Sequence, residues 1–176
     1  MAKASKPPEI TLIETIRILP DDAFEIARQF AELGEKLGFA AKVRYAGRDK
    51  IWKCTFTCKK PNRLMFKLEC REDYWHVQAR LFNINAYIDY VRTCSDNIRN
   101  IIKKGLQCSL CNPDCSGYES KDYIPGKFLT VTAFTLDGAD HKQCIWGSFT
   151  FAHLNAEEYK SVLHLIEKEY EVIRPS

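Results

Sequence analysis

Hydrophobic and polar residues alternate along this chain with two different periods, and the switches between them mark its elements. Ile10-Thr11-Leu12-Ile13-Glu14-Thr15-Ile16-Arg17-Ile18 is rich in β-branched residues and ends at Leu19-Pro20, which predicts a strand running into a helix start. Asp21 then caps a helix whose apolar positions, Ala23, Ile26, Ala27, Phe30, Leu33 and Leu37, form one stripe that stops at Gly38. From Ala41 the period becomes two. Trp52, Cys54, Phe56 and Cys58 share one face, and after the turn at Lys60-Pro61-Asn62 the residues Leu64, Phe66, Leu68 and Cys70 repeat the pattern. Beyond Arg71-Glu72-Asp73, Trp75, Val77, Ala79 and Leu81 alternate with His76, Gln78 and Arg80, completing an antiparallel meander with one packed and one polar face.

Helical spacing returns at Ile84, Tyr87, Ile88, Val91, Cys94, Ile98, Ile101 and Ile102, with Asn85 as cap and Lys103-Lys104-Gly105 as the stop. A strand is predicted at about Phe128 to Leu136, a turn at Asp137-Gly138-Ala139-Asp140, and another strand from Gln143 to Phe151. Asn155 and Glu158 make a capping pair for a last helix through Tyr159, Val162, Leu163, Ile166 and Tyr170. The fold class is therefore α+β, an antiparallel sheet with three main helices. Both halves pass from a strand hairpin into a helix, a layout compatible with a pseudo-repeat, but no residue identity links them and two ordinary α+β hairpin units account for it better. Residues 1–8 read as a flexible tail and 9–173 as a single α+β domain, with a cysteine loop at 106–117.

Composition narrows the class rather than the function. At 176 residues, with 45% hydrophobic and 28% charged, the chain can bury a real core without disulfide staples. A net charge of +3, carried by scattered basic residues, is too weak to indicate nucleic acid. The amino terminus lacks the apolar core of a signal peptide, and no apolar stretch is long enough to span a bilayer, so the expectation is a cytoplasmic protein with no membrane partner. In that reducing compartment eight cysteines point to metal ligands, buried thiols or redox chemistry.

The chemistry-bearing motif is Cys108-x-x-Cys111-x-x-x-Cys115, with turn residues Asn112-Pro113-Asp114 and Ser116-Gly117 around it. Zinc gathers thiolates around a tetrahedron, and a tight turn lets two cysteines this close in sequence reach one ion. A structural site has four ligands and the loop supplies three. Cys94, on the helix that leads into the loop, is the first candidate for the fourth; Cys144 and His141 are the alternatives. Dithiol redox chemistry fits less well, because the pair follows a helix end rather than opening a helix. An iron–sulfur cluster ranks below zinc, since the spacing matches neither ferredoxin pattern. Cys54, Cys58 and Cys70 lie on apolar strand faces and read as buried structural thiols.

No phosphate loop, zinc-protease pair or serine-hydrolase elbow is present. A second candidate site is the polar face of the meander, where His76, Gln78, Arg80, Lys67 and Glu69 line up with Tyr74, Phe82 and Tyr87 as aromatic walls. A solvated sheet face accounts for the same alternation about twice as readily by this reasoning.

The run Cys94-Ser95-Asp96, the cysteine loop, Ile124-x-Gly126-Lys127, Phe149-x-Phe151 and Leu165-Ile166-Glu167-Lys168-Glu169 resembles a group of small uncharacterised bacterial proteins, many from anaerobic firmicutes. Members of that group often carry a further cysteine soon after the Gly-Lys pair; this chain has Thr130 and Val131 there, which leaves the fourth ligand open. The paired strand and helix units are more faintly similar to the GyrI-like effector-binding fold, which implies a small hydrophobic or cationic ligand held in a central groove. The expected function is a small-molecule or partner-binding domain with a structural zinc site. The alternative is a thiol- or zinc-dependent enzyme using the Cys108, Cys111 and Cys115 cluster, and a third reading is an interaction module docking through that loop.

Overall fold

In the computed structural model, which describes residues 11–104, 132–143 and 148–174, the first β-branched run is helical rather than extended. Thr11 Oγ1 accepts from the Glu14 N–H at 3.3 Å and the Glu14 carboxylate accepts from the Thr11 N–H at 2.7 Å, a reciprocal capping box that starts α1 (Leu12–Ile16). Local capping and burial of Ile16 outweigh a β propensity that is context-dependent at best. The class is mixed α+β, as the pattern predicts: among the described residues there are five α-helices, a five-stranded antiparallel sheet and a two-stranded one. Within the span read from sequence as one domain, the chain gathers into two compact units, Met1–Gln78 and Ala79–Ser176.

The first unit continues with α2 (Asp21–Lys36), β1 (Ala40–Ala46), β2 (Ile51–Cys58), β3 (Arg63–Arg71) and β4 (Tyr74–Ala79). The stripe that α2 buries is Phe24, Ala27, Phe30, Ala31, Leu33 and Gly34, slightly rotated from the predicted one, with Ala23 and Ile26 only half-buried. Gly38, at φ 70°, closes the helix: its N–H donates to Glu35 O at 2.9 Å and the Phe39 N–H to Gly34 O at 2.8 Å, the paired bonds of a Schellman motif. The strands follow one another in the order β1-β2-β3-β4. Their packed face carries Cys54, Phe56, Phe66, Leu68 and Cys70, and Phe66 stacks on Phe56 at 4.3 Å with Phe30 and Phe39 tilted against it. Each fully buried phenylalanine contributes roughly 1.5–3 kcal/mol by leaving water. Between Phe56 and Thr57 the register shifts, so that Met65 becomes the extra residue of a bulge and is itself 1% exposed.

In the second unit the single long helix expected over residues 84–102 is broken. A 3-10 turn at Ile84–Tyr87 leads into α3 (Ile88–Thr93), and α4 (Asp96–Lys104) begins separately. Cys94 is extended at ψ 161°, and Ser95 Oγ accepts from the Ile98 N–H at 3.3 Å, starting the new helix. Apolar spacing runs straight through the break, which is why periodicity alone cannot show it. The hairpin is also tighter than expected: β5 (Thr132–Leu136) and β6 (Ala139–Gln143) join through Asp137-Gly138, both at positive φ. β7 (Phe149–Ala152) is not part of this two-stranded sheet but belongs to the five-stranded one. The last helix, α5 (Ala156–Ile173), carries the predicted Asn155/Glu158 capping box. The described elements of the two units do not follow a common order. No described helix is long and apolar enough to cross a membrane.

Candidate functional site

Two arrangements of polar side chains stand out, one in each unit. In the first, the β2–β3 ladder puts Lys53 directly opposite Glu69, with Thr55 opposite Lys67 in the next row of the same face. Both lysines converge on one carboxylate oxygen: Lys67 Nζ is 2.7 Å and Lys53 Nζ 3.2 Å from Glu69 Oε1. His76 on β4 brings Nε2 to 3.6 Å from the other oxygen, and Gln78 Nε2 stands 2.9 Å from that same ring nitrogen. The alternation that suggested a wetted surface instead carries buried polar groups, since Glu69 and His76 are only 7% and 6% exposed.

Burial alone would push the Glu69 carboxyl up, but the Lys67 and Lys53 ammonium groups overcome it and hold the carboxyl below its ordinary value. His76 shifts down, first because burial penalises its charged form; the pull of Glu69 is smaller and is opposed by the two lysines. The imidazole is therefore neutral at pH 7 and its approach to Glu69 is not an ion pair. Its Nδ1 is buried with no hydrogen-bond partner among the described residues.

The second arrangement joins the end of α4 to the β5–β6 hairpin. Asp137, at the hairpin turn, receives Lys103 Nζ at 2.5 Å and Arg99 Nε at 3.4 Å. Three strand pairs in from the turn, His141 lies opposite Phe134, and the two rings stack at 5.4 Å and 25°. The His141 Nδ1–H donates to Lys103 O at 3.1 Å, because a carbonyl can only accept. In the neutral ring that bond leaves Nε2 as the bare lone pair, and Nε2 is buried with no partner among the described residues.

Of the sequence candidates, His76, Gln78 and Lys67 come together on the first unit's polar face, whereas Arg80 belongs to the second unit and is half-buried there. Cys108, Cys111, Cys115 and Cys144 lie outside the described residues. Cys94 is a buried thiol whose Sγ donates to Tyr90 O at 3.5 Å, and burial pushes its pKa up. Burial likewise pushes the Cys54 thiol up to about 12, and the Cys70 thiol rises too, through burial and then the neighbouring Cys54 and Glu69. Among the described residues no group of three His, Cys, Asp or Glu side chains is placed to hold a metal ion. Lys53 is the functional-face residue that sequence reading missed, because only the strand register sets it opposite Glu69. Comparison with protein-family models, with curated proteins and with solved structures gives no match to this chain.

Proposed function

We propose that the chain is a small binding protein whose second unit is stapled by a structural zinc ion and whose ligand side is the polar sheet face of the first unit. The preset imidazole of His141 carries the zinc reading. Zinc takes neutral imidazole through its unprotonated nitrogen, and metal-ligating histidines regularly donate the other N–H to a backbone carbonyl. His141 fits this arrangement, with Nδ1–H spent on Lys103 O, Nε2 buried without a partner among the described residues, and the ring stacked on Phe134. Cys108, Cys111 and Cys115 follow in the chain, the first only five residues beyond Lys103. A tether of that length reaches at most about 18 Å, which keeps Cys108 within reach of the Lys103 end of α4, the end to which His141 is hydrogen-bonded.

With His141 the ligand set reaches four and leaves no open position, which supports a structural rather than a catalytic ion. Cys94 is the weaker fourth ligand, since burial holds its thiol protonated and its Sγ is spent on Tyr90 O. The binding half of the reading is supported by Lys53, Lys67, Glu69, His76 and Gln78 converging on one sheet face.

Metal analysis of protein purified without added metal tests the reading. The expected result is about one zinc per chain, lost in Cys111→Ser and His141→Ala together with thermal stability, and kept in Cys94→Ala. Wild-type protein that is stable and metal-free refutes the zinc. Zinc retained by His141→Ala but lost by Cys94→Ala returns the fourth position to Cys94.

A further inference from the structure

Arg44 and Lys53 stand directly opposite one another in the β1–β2 ladder, and Lys53 in turn stands opposite Glu69. One alternate residue along, the same face carries the row Lys42, Thr55 and Lys67. Lys53 and Lys67 share the single carboxylate of Glu69, while Lys42 and Arg44 have no acidic partner among the described residues. The neighbouring Arg71 on β3 is matched by Asp73 at 2.8 Å. Four cations thus meet one anion, in an arrangement that costs folding energy, because like charges directly opposite on adjacent strands repel. Cations on β1 have an ordinary explanation, since charged side chains guard an open sheet edge. That explanation does not extend to Lys53 and Lys67, which sit on β2 and β3 inside the meander with side chains only 31% and 24% exposed.

We infer that this face binds a small polyanion through phosphate or carboxylate groups, one group held by Arg44 and Lys53 and a second by Lys42 and Lys67. The inference rests on the binding reading above and adds the chemical class of the ligand. The two rows lie two residues apart along the strands, about 6.7 Å, so a molecule with two separated anionic groups engages both at once. Arg44 presents a planar fork suited to paired oxygens, and the lysines supply ammonium donors with further N–H groups beyond those directed at Glu69.

Amide NMR titrations of the full-length protein with sodium pyrophosphate, sodium citrate, putrescine and trehalose, each against sodium chloride of matched ionic strength, test it. Pyrophosphate or citrate is expected to shift the amides of residues 42–44, 53–55 and 67–69 in a saturable way, and whichever acts identifies phosphate or carboxylate as the group recognised. Arg44→Met and Lys53→Met each weaken that binding roughly tenfold, the scale of one charge-assisted hydrogen bond. Because Arg44 is exposed, its variant reads binding even where Lys53→Met lowers stability. Saturable shifts from putrescine or trehalose alone overturn the anion class and leave a ligand face. No saturable shift from any probe, or equal polyanion binding by both variants, overturns the site itself.

Discussion

The Tyr87 hydroxyl donates to Glu169 at 2.8 Å, and both side chains are buried. The same carboxylate accepts from the Asn83 N–H at 2.9 Å and from Asn83 Nδ2 at 2.8 Å, so a carboxylate of α5 at 0% exposure meets three donors from the segment that opens the second unit. A buried carboxylate survives only where its lone pairs are satisfied, and here the donors come from residues 82 and 86 positions away in sequence.

Replacing Glu169 with Ala removes the acceptor of all three bonds and is expected to cost on the order of 3 kcal/mol, while Tyr87→Phe removes its bond to Glu169 and costs about 1–2 kcal/mol. Urea denaturation of the two variants measures both values. A loss in Glu169→Ala no larger than in Tyr87→Phe contradicts the assignment.

At Gly34 α2 lies close against the sheet: a Cβ there would stand 2.4 Å from Phe56 Cδ1 and 2.7 Å from Cε1. The Phe56 ring cannot retreat easily, since it is 1% exposed and stacked on Phe66. Gly34→Ala is therefore expected to destabilise by about 1–3 kcal/mol, despite the better helix propensity of alanine. Combining it with Phe56→Leu should cost less than the sum of the two single changes, because the smaller side chain makes room for the new methyl. Thermal melts of the single and double variants check this; simple additivity would count against the close approach.

Acid should weaken the first unit in two stages. His76 has its pKa held below 6.5, first by burial, so the unfolded chain takes up this proton before the folded one does. Its contribution is complete above pH 6.5 and declines as pH falls below that value. Glu69 has a folded pKa below 4.5, so its contribution persists above that value and is lost only as pH falls through the lowered one. Stability measured against pH in wild type and in His76→Gln separates the stages. The variant should lose the decline that begins just below pH 6.5 and keep the later one; an unchanged profile would show that His76 does not titrate with unfolding.

What the sequence shows of this fold depends on whether a local signal or a distant pairing sets each element. The Asn155/Glu158 box and the Gly38 stop are written in residues three or four apart, and both occur where the pattern predicts them. Thr11 and Glu14 form an equally local box, but the β-branched run around them carries the stronger signal for a strand. The break at Cys94 is hidden because Val91, Ile98 and Ile102 keep a helical phase across it and all end up buried. For the candidate site, strand alternation correctly places His76, Gln78 and Lys67 on one face with Glu69. It cannot show that Glu69 and His76 are buried, nor that Lys53 arrives opposite Glu69, since burial and register belong to the packed sheet.

Cys54, Cys58, Cys70 and Cys94 are all buried. Alkylating reagents attack the exposed thiolate; burial restricts access at all four thiols, and a raised pKa further withholds the thiolate at Cys54, Cys70 and Cys94. Half of the eight cysteines are thus silent while the chain stays folded, and any thiol that a brief alkylation pulse marks on the native protein is one of Cys108, Cys111, Cys115 and Cys144. The packing of the core makes the chain its own reporter: if the proposed zinc is bound, the mass added by such a pulse should rise when a chelator is present, with no engineered label.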